Sequence, residues 1–190
     1  MLLARRASLG ASHAVQLCVQ ADCRGRAFAK PAASAGSGLT QALGLIEKTM
    51  ATQTYLEPTQ ESGRAFLTRG ISGGVVMLNL LRFRPIADYS TAPELAPASP
   101  ISGEAAYRLY MEQTLPHLKA SGGEVLFFGK GGEFLIGPSE ERWDAAMLVR
   151  QSSVAAFLEF ASNQAYLSGI GHRLAALEDS RLLPLVVDQA

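Results

Sequence analysis

Cysteine is nearly missing from this chain: of its 190 residues only Cys18 and Cys23 carry a thiol. Disulfides therefore cannot staple anything beyond the first segment, and the CxxxxC pair with His13 beside it falls short of the four ligands of a structural zinc site. No apolar run approaches the roughly 20 residues that a membrane-spanning helix needs. Charge of either sign is not in excess, with 17 basic residues against 17 acidic ones and no basic stripe. That balance argues against a nucleic-acid partner, because affinity for phosphate backbones comes from clustered Lys and Arg. Catalytic signatures are lacking as well. GxSxG, HExxH and CxxC do not occur, GKGGEF lacks the Walker spacing, and SGIGHR holds one GxG without a strand-to-helix phosphate loop. These absences leave a small molecule or a protein as partner and call for no metal and no cofactor.

What is present is globular in composition: 48% hydrophobic residues, 18 Gly and 9 Pro, with a mean hydropathy of +0.12. The charge is unevenly spread. Residues 1–49 hold six basic residues and two acids, leaving 50–190 with a net of −4. The first 30 residues, rich in Ala, Ser and Arg and free of acid until Asp22, have the composition of a mitochondrial or plastid transit peptide. A start at Met50 is the other reading, with a cytoplasmic protein as its consequence, and both stay open. The expected organisation is a disordered or targeting-like extension over 1–49, an N-terminal helical arm over 50–73 and one folded domain over 74–188.

Within that domain the punctuation sets the elements. Pro58 and Thr59 open a short helix that ends at Gly70. VVMLNLLRF, 75–83, is an apolar run of strand length, and the four prolines between 85 and 101 forbid a regular element there. From Ser102 a helix is expected, with Tyr107, Tyr110, Met111, Thr114 and Leu118 on one face, a kink at Pro116 and an end at Gly122 and Gly123. EVLFFG and EFLIG read as a strand that bends at the glycines between them, and WDAAMLVR, 143–150, as the next strand. Ser152 or Ser153 caps a helix through Phe160, Ser162 or Asn163 caps another through Leu177, and RLLPLVV from Arg181 is the last strand. The order is that of an α+β fold: a ferredoxin-like βαββαβ antiparallel sheet with helices on one face. Because the first strand is apolar on both alternating sets, its other face needs a cover. A second copy packing sheet on sheet supplies one, giving a homodimer with room for a cavity between sheet and helices.

The segments VVMLNLLRFR, YRLYMEQTLPHLKASGGEVLF, ERWDAAMLVRQSSVAAFLEFASNQAYL and HRLAALEDSRLLPL, in that order between Gly74 and Leu185, resemble the family called domain of unknown function 1330. The resemblance implies the dimeric α+β barrel superfamily, which includes cofactor-free oxygenases, decarboxylases, isomerases of lactone metabolism and heme enzymes. It leaves the activity of this chain open. The long Pro-rich loop after Arg84 departs from the shorter members of the family.

Asn79 is the sharpest candidate for a ligand contact, since an amide inside an apolar strand must find hydrogen bonds or cost about 1 to 3 kcal/mol. A structural bond to a loop backbone is its alternative. Arg82 and Arg84, at the strand end, suit a carboxylate ligand or solvent. Tyr107, Tyr110 and Trp143 each offer an apolar body with one polar handle, fit for a flat ligand or for plain core packing. His172 with Arg173 is a candidate anion clamp, unless Arg173 pairs with Glu178 or Asp179. His117 is placed to cap its helix end, and a heme would have only His117 or His172 as axial ligand. The leading expectation is a homodimer whose cleft binds a small aromatic or anionic molecule, with oxygenase or isomerase chemistry open. The competing one is a non-catalytic dimer whose cavity is only core.

Overall fold

The computed structural model describes residues 53–186. The extension over 1–49, with its two cysteines, and the distinction between Met1 and Met50 as start lie outside the described residues.

Thr59 opens helix α1 (Gln60–Thr68) through a capping box, its hydroxyl accepting from the Ser62 backbone while the Ser62 hydroxyl accepts from the Thr59 N–H. Strand β1 (Val75–Phe83) follows, then the proline-rich stretch, in which a single 3-10 turn (Pro93–Leu95) is the one regular piece. Ser102 caps α2 (Gly103–Ala120), Glu104 sits at its positive end, and Gly122 leaves it with φ 77°. The helix runs on through Pro116 as one element of 18 residues. Strands β2 (Glu124–Lys130) and β3 (Ala145–Gln151) come next, followed by α3 (Val154–Ser162) under a Ser153 cap, α4 (Gln164–Leu167) under an Asn163 cap, α5 (Ile170–Ala176) and β4 (Leu177–Val186).

The strands form one antiparallel sheet in the order β2-β3-β1-β4, which is the ferredoxin-like βαββαβ arrangement. β1 is central, so Asn79 lies beside Met147 on one neighbour and Leu182 on the other. The core gathers Leu81, Ala145 and Met147 of the sheet with Ala106, Tyr107 and Tyr110 of α2 and Ala176 at the end of α5. Gly103 is wedged against the backbone oxygens of Arg84 and Ala176, where no side chain fits.

Three expectations need correction. EFLIG does not continue the sheet: residues 133–137 contribute only a Glu133–Arg142 bridge, because no strand among the described residues lies alongside to accept a ladder. The helix expected through Leu177 is broken at Ser168 and Gly169, where Gly169 lies against the Gln113 side chain without room for a Cβ. The last strand starts at Leu177 rather than Arg181, taking in Glu178, Asp179 and Ser180, whose polar groups are met by Arg82, Arg181 and the chain at Tyr55. Trp143 correspondingly precedes β3, its N–H donating to the Gly132 carbonyl.

Candidate functional site

Side chains of a strand alternate, and here the odd-numbered residues of β1 and β3 turn toward the helices. Between that face and the helices lies a cavity of about 700 Å³. Met77, Asn79 and Met147 form its floor, and α2 supplies Tyr107, Tyr110 and Leu118. α1 closes another side, where Phe66 meets Phe157 of α3 edge to face at 5.9 Å.

One end of the cavity is built from phenols. Tyr107 and Tyr110 pack with ring centroids 5.3 Å apart, and the hydroxyls of Tyr110 and Tyr166 lie 3.2 Å apart. Burial pushes the Tyr107 and Tyr166 phenols well above the ordinary value of 10, with Tyr110 adding to the effect and the Arg173 guanidinium opposing it. Both are therefore neutral donors at physiological pH and not bases. Among the described residues nothing accepts from or donates to the Tyr107 hydroxyl.

Arg173 lines the same cavity. Its guanidinium donates to the Leu56 carbonyl at 2.7 Å and to the Ser180 hydroxyl at 3.2 Å. No carboxylate pairs with it among the described residues, since Asp179 and Glu178 are taken by Arg82 and Arg181 instead. Asn79 donates to the Met77 carbonyl of its own strand at 3.2 Å and still reaches the cavity wall. It thus carries a weak local bond and an exposed amide at once.

Five candidates from the sequence stand elsewhere, Arg84 among them, which follows the end of β1 and is not part of the cavity wall. Arg82 is on the opposite face from Asn79, as alternation over three residues requires, and its nitrogens lie 3.4 Å from Glu178 and 3.7 Å from Asp179. Trp143 is buried away from the cavity, donating to Glu141 and stacking under Arg181 at 5.0 Å. His117 lies in the last turn of α2, off the cavity wall. His172 does not clamp with Arg173, because neighbours on a helix point about 100° apart. Its Nδ1 instead meets the Tyr89 hydroxyl of the Pro-rich loop at 2.7 Å. Two wall residues went unnoticed in the sequence. Tyr166 is indistinguishable there from a core aromatic, whereas Gln151 could have been found by the argument used for Asn79, an amide at the end of an apolar strand.

Burial holds the His172 pKa below the ordinary 6.5, so the folded protein favours the neutral ring, with Nδ1 and the Tyr89 hydroxyl sharing one hydrogen bond. A depressed folded value means that the unfolded chain binds the proton first. The stabilisation is complete above pH 6.5 and is lost as pH falls below that through the folded value. Urea midpoints are expected to drop across this window, and His172→Gln is expected to flatten the slope. An unchanged slope in the variant assigns the acid sensitivity to other groups.

No family model and no curated protein matches the chain. Among solved structures, the RPA0582 protein, a protein of unknown function from Rhodopseudomonas palustris, is 34% identical, and the match covers 73% of this chain and 100% of that one with a TM-score of 0.63. The methylated form of RPA0582 matches with the same identity and a TM-score of 0.64, over 72% of this chain and 96% of that one. The chain belongs to the RPA0582 family. That family is uncharacterised, so membership fixes the fold and brings no activity with it. A dimeric ferredoxin-like protein of unknown function from Thermobifida fusca YX is far more remote, at 12% identity and a TM-score of 0.31 over 61% of this chain and 92% of its own, too distant to carry any argument.

Proposed function

We propose that the protein is a homodimer that binds a small, apolar-bodied anion in the cavity between sheet and helices, its acid group at Arg173 and its body among Tyr107, Tyr110, Tyr166 and Asn79. The observation that carries this reading is an apolar cavity of about 700 Å³ where three phenols converge at one end with a guanidinium that no carboxylate pairs among the described residues. That volume suits a drug-sized ligand, and few but convergent polar groups are the mark of a specific pocket. The ordered motifs between Gly74 and Leu185 support placing the chain, more finely, with domain of unknown function 1330.

The side chains favour binding over turnover. Oxygenation or isomerisation without a cofactor, which the family resemblance implies, begins by removing a proton from the ligand. Among the described residues no histidine and no buried carboxylate lines the wall to take it. The dimer rests on the other face of the sheet, where Phe127 of β2, Leu148 of β3, Leu78 and Leu80 of β1 and Leu183 of β4 form an apolar surface that no element among the described residues covers.

A thermal-shift series of flat aromatic carboxylates against their uncharged amides tests the binding reading. Carboxylates are expected to raise the melting temperature and amides much less. Asn79→Leu is expected to keep the fold, with a stability change within about 1.5 kcal/mol since only one long local hydrogen bond is removed, while the carboxylate shift shrinks. Equal shifts for acids and amides would remove Arg173 from the site, and a full shift in Asn79→Leu would remove Asn79.

A further inference from the structure

The cavity has a second polar end. Gln151, the last residue of β3, is 1% exposed and lines the cavity, yet its side-chain Oε1 is fully buried without any hydrogen-bond partner among the described residues. The amide lies against Leu118 and Gly123, and the missing side chain at Gly123 is what leaves room for it: a Cβ there would stand 2.8 Å from Gln151 Nε2. An orphaned buried acceptor is rare in folded proteins because its lost hydration is not returned. It is also placed far from the phenols. Gln151 pairs with Val75 at the start of β1, whereas Ser180, which Arg173 contacts, pairs with Leu81. Six strand residues separate the two positions, roughly 20 Å at about 3.3 Å per residue. α2 spans the same distance, with Tyr107 at one end and Leu118 at the other, and the floor between is Met77, Asn79, Met147 and Val149.

We infer that the ligand is elongated and polar at both ends: an acid group at Arg173, an apolar body along the floor, and a hydroxyl or amide N–H that donates to Gln151 Oε1. This rests on the anion-binding reading and adds the far contact, which sorts ligands by length and by what stands at the distal end. An acid of the same length ending in hydrogen leaves the buried oxygen without its partner, so it binds less well for a reason independent of its carboxylate.

Calorimetric titration with p-terphenyl-4-carboxylate and 4″-hydroxy-p-terphenyl-4-carboxylate, long enough to span the two ends, tests it. The first compound probes the anion-binding reading alone and the difference between the two probes the far contact. The hydroxylated acid is expected to bind the native protein about tenfold more tightly, the worth of one hydrogen bond to a buried acceptor. In Gln151→Leu both acids are expected to bind and the preference to vanish. Gln151→Met, which keeps an unbranched chain of similar length, is expected to behave alike and covers a failure of the Leu variant to fold. Binding of both acids with no preference, or a preference that persists in both variants, overturns the far contact and leaves the anion site standing. Binding of neither acid overturns both.

Discussion

Replacing Asp179 by Ala is expected to lower the unfolding free energy by about 3 kcal/mol, the cost of removing one partner from a buried charged cluster. Asp179 is 1% exposed, and its Oδ1 accepts from the Tyr55 backbone N–H and from Arg181, each at 2.7 Å, while Arg82 stands 3.7 Å from Oδ2. Without the carboxylate, Arg82 keeps only the more exposed Glu178, and its Nε already lacks a hydrogen bond. The same residue fastens the arm, since Tyr55 is tied both to Asp179 and, through its carbonyl, to Ser180. Asp179→Asn keeps an oxygen for Tyr55 but loses the charge, so its loss is expected to be intermediate. Urea unfolding of the three proteins measures this, and a loss under about 1 kcal/mol in the Ala variant would reduce the cluster to the worth of a surface ion pair.

Leu183→Glu is expected to convert a dimer at micromolar concentration into monomers. Leu183 is about half exposed in the protomer and pairs with Leu78 on the uncovered face of the sheet. Two such faces packed about a twofold axis bury each introduced carboxylate without a partner, and symmetry doubles the penalty. Since the Leu183 side chain is about half exposed among the described residues, a folded monomer is expected to survive. Sedimentation velocity reads the outcome directly. A native protein that sediments as a monomer, or a variant that stays dimeric, removes the sheet-to-sheet contact.

The elements that could be read from the sequence are those fixed by local chemistry. Ser102, Ser153 and Asn163 cap helices because their side chains accept from N–H groups two or three residues on, and β1 is a strand because its apolar run, closed off by Gly73 and Gly74 before it and Pro85 after it, is of strand length. Distant partners hid the rest. LEDSR looks unlike a buried strand until Arg82 supplies a counter-charge and the Tyr55 backbone its hydrogen bonds, both over 90 residues away. EFLIG has a strand's composition, but a strand also needs a neighbour, and the protomer provides only one bridge. In the site, Asn79, Tyr107, Tyr110 and Arg173 came from residue type and landed around one cavity. Arg82 and His172 did not, because which face a side chain takes follows from register and helix phase rather than from type.

The central place of β1 also has a consequence for synthesis. Val75–Phe83 leaves the ribosome first among the strands, yet both its hydrogen-bonding neighbours, Ala145–Gln151 and Leu177–Val186, come late in the chain. Roughly 100 residues must be translated before the last of them exists, which at about 5 to 20 residues per second is some 5 to 20 s. For that interval a strand that is apolar on both faces has no ladder to join, and of the elements it packs with in the folded domain helix α2 is the first to follow it out.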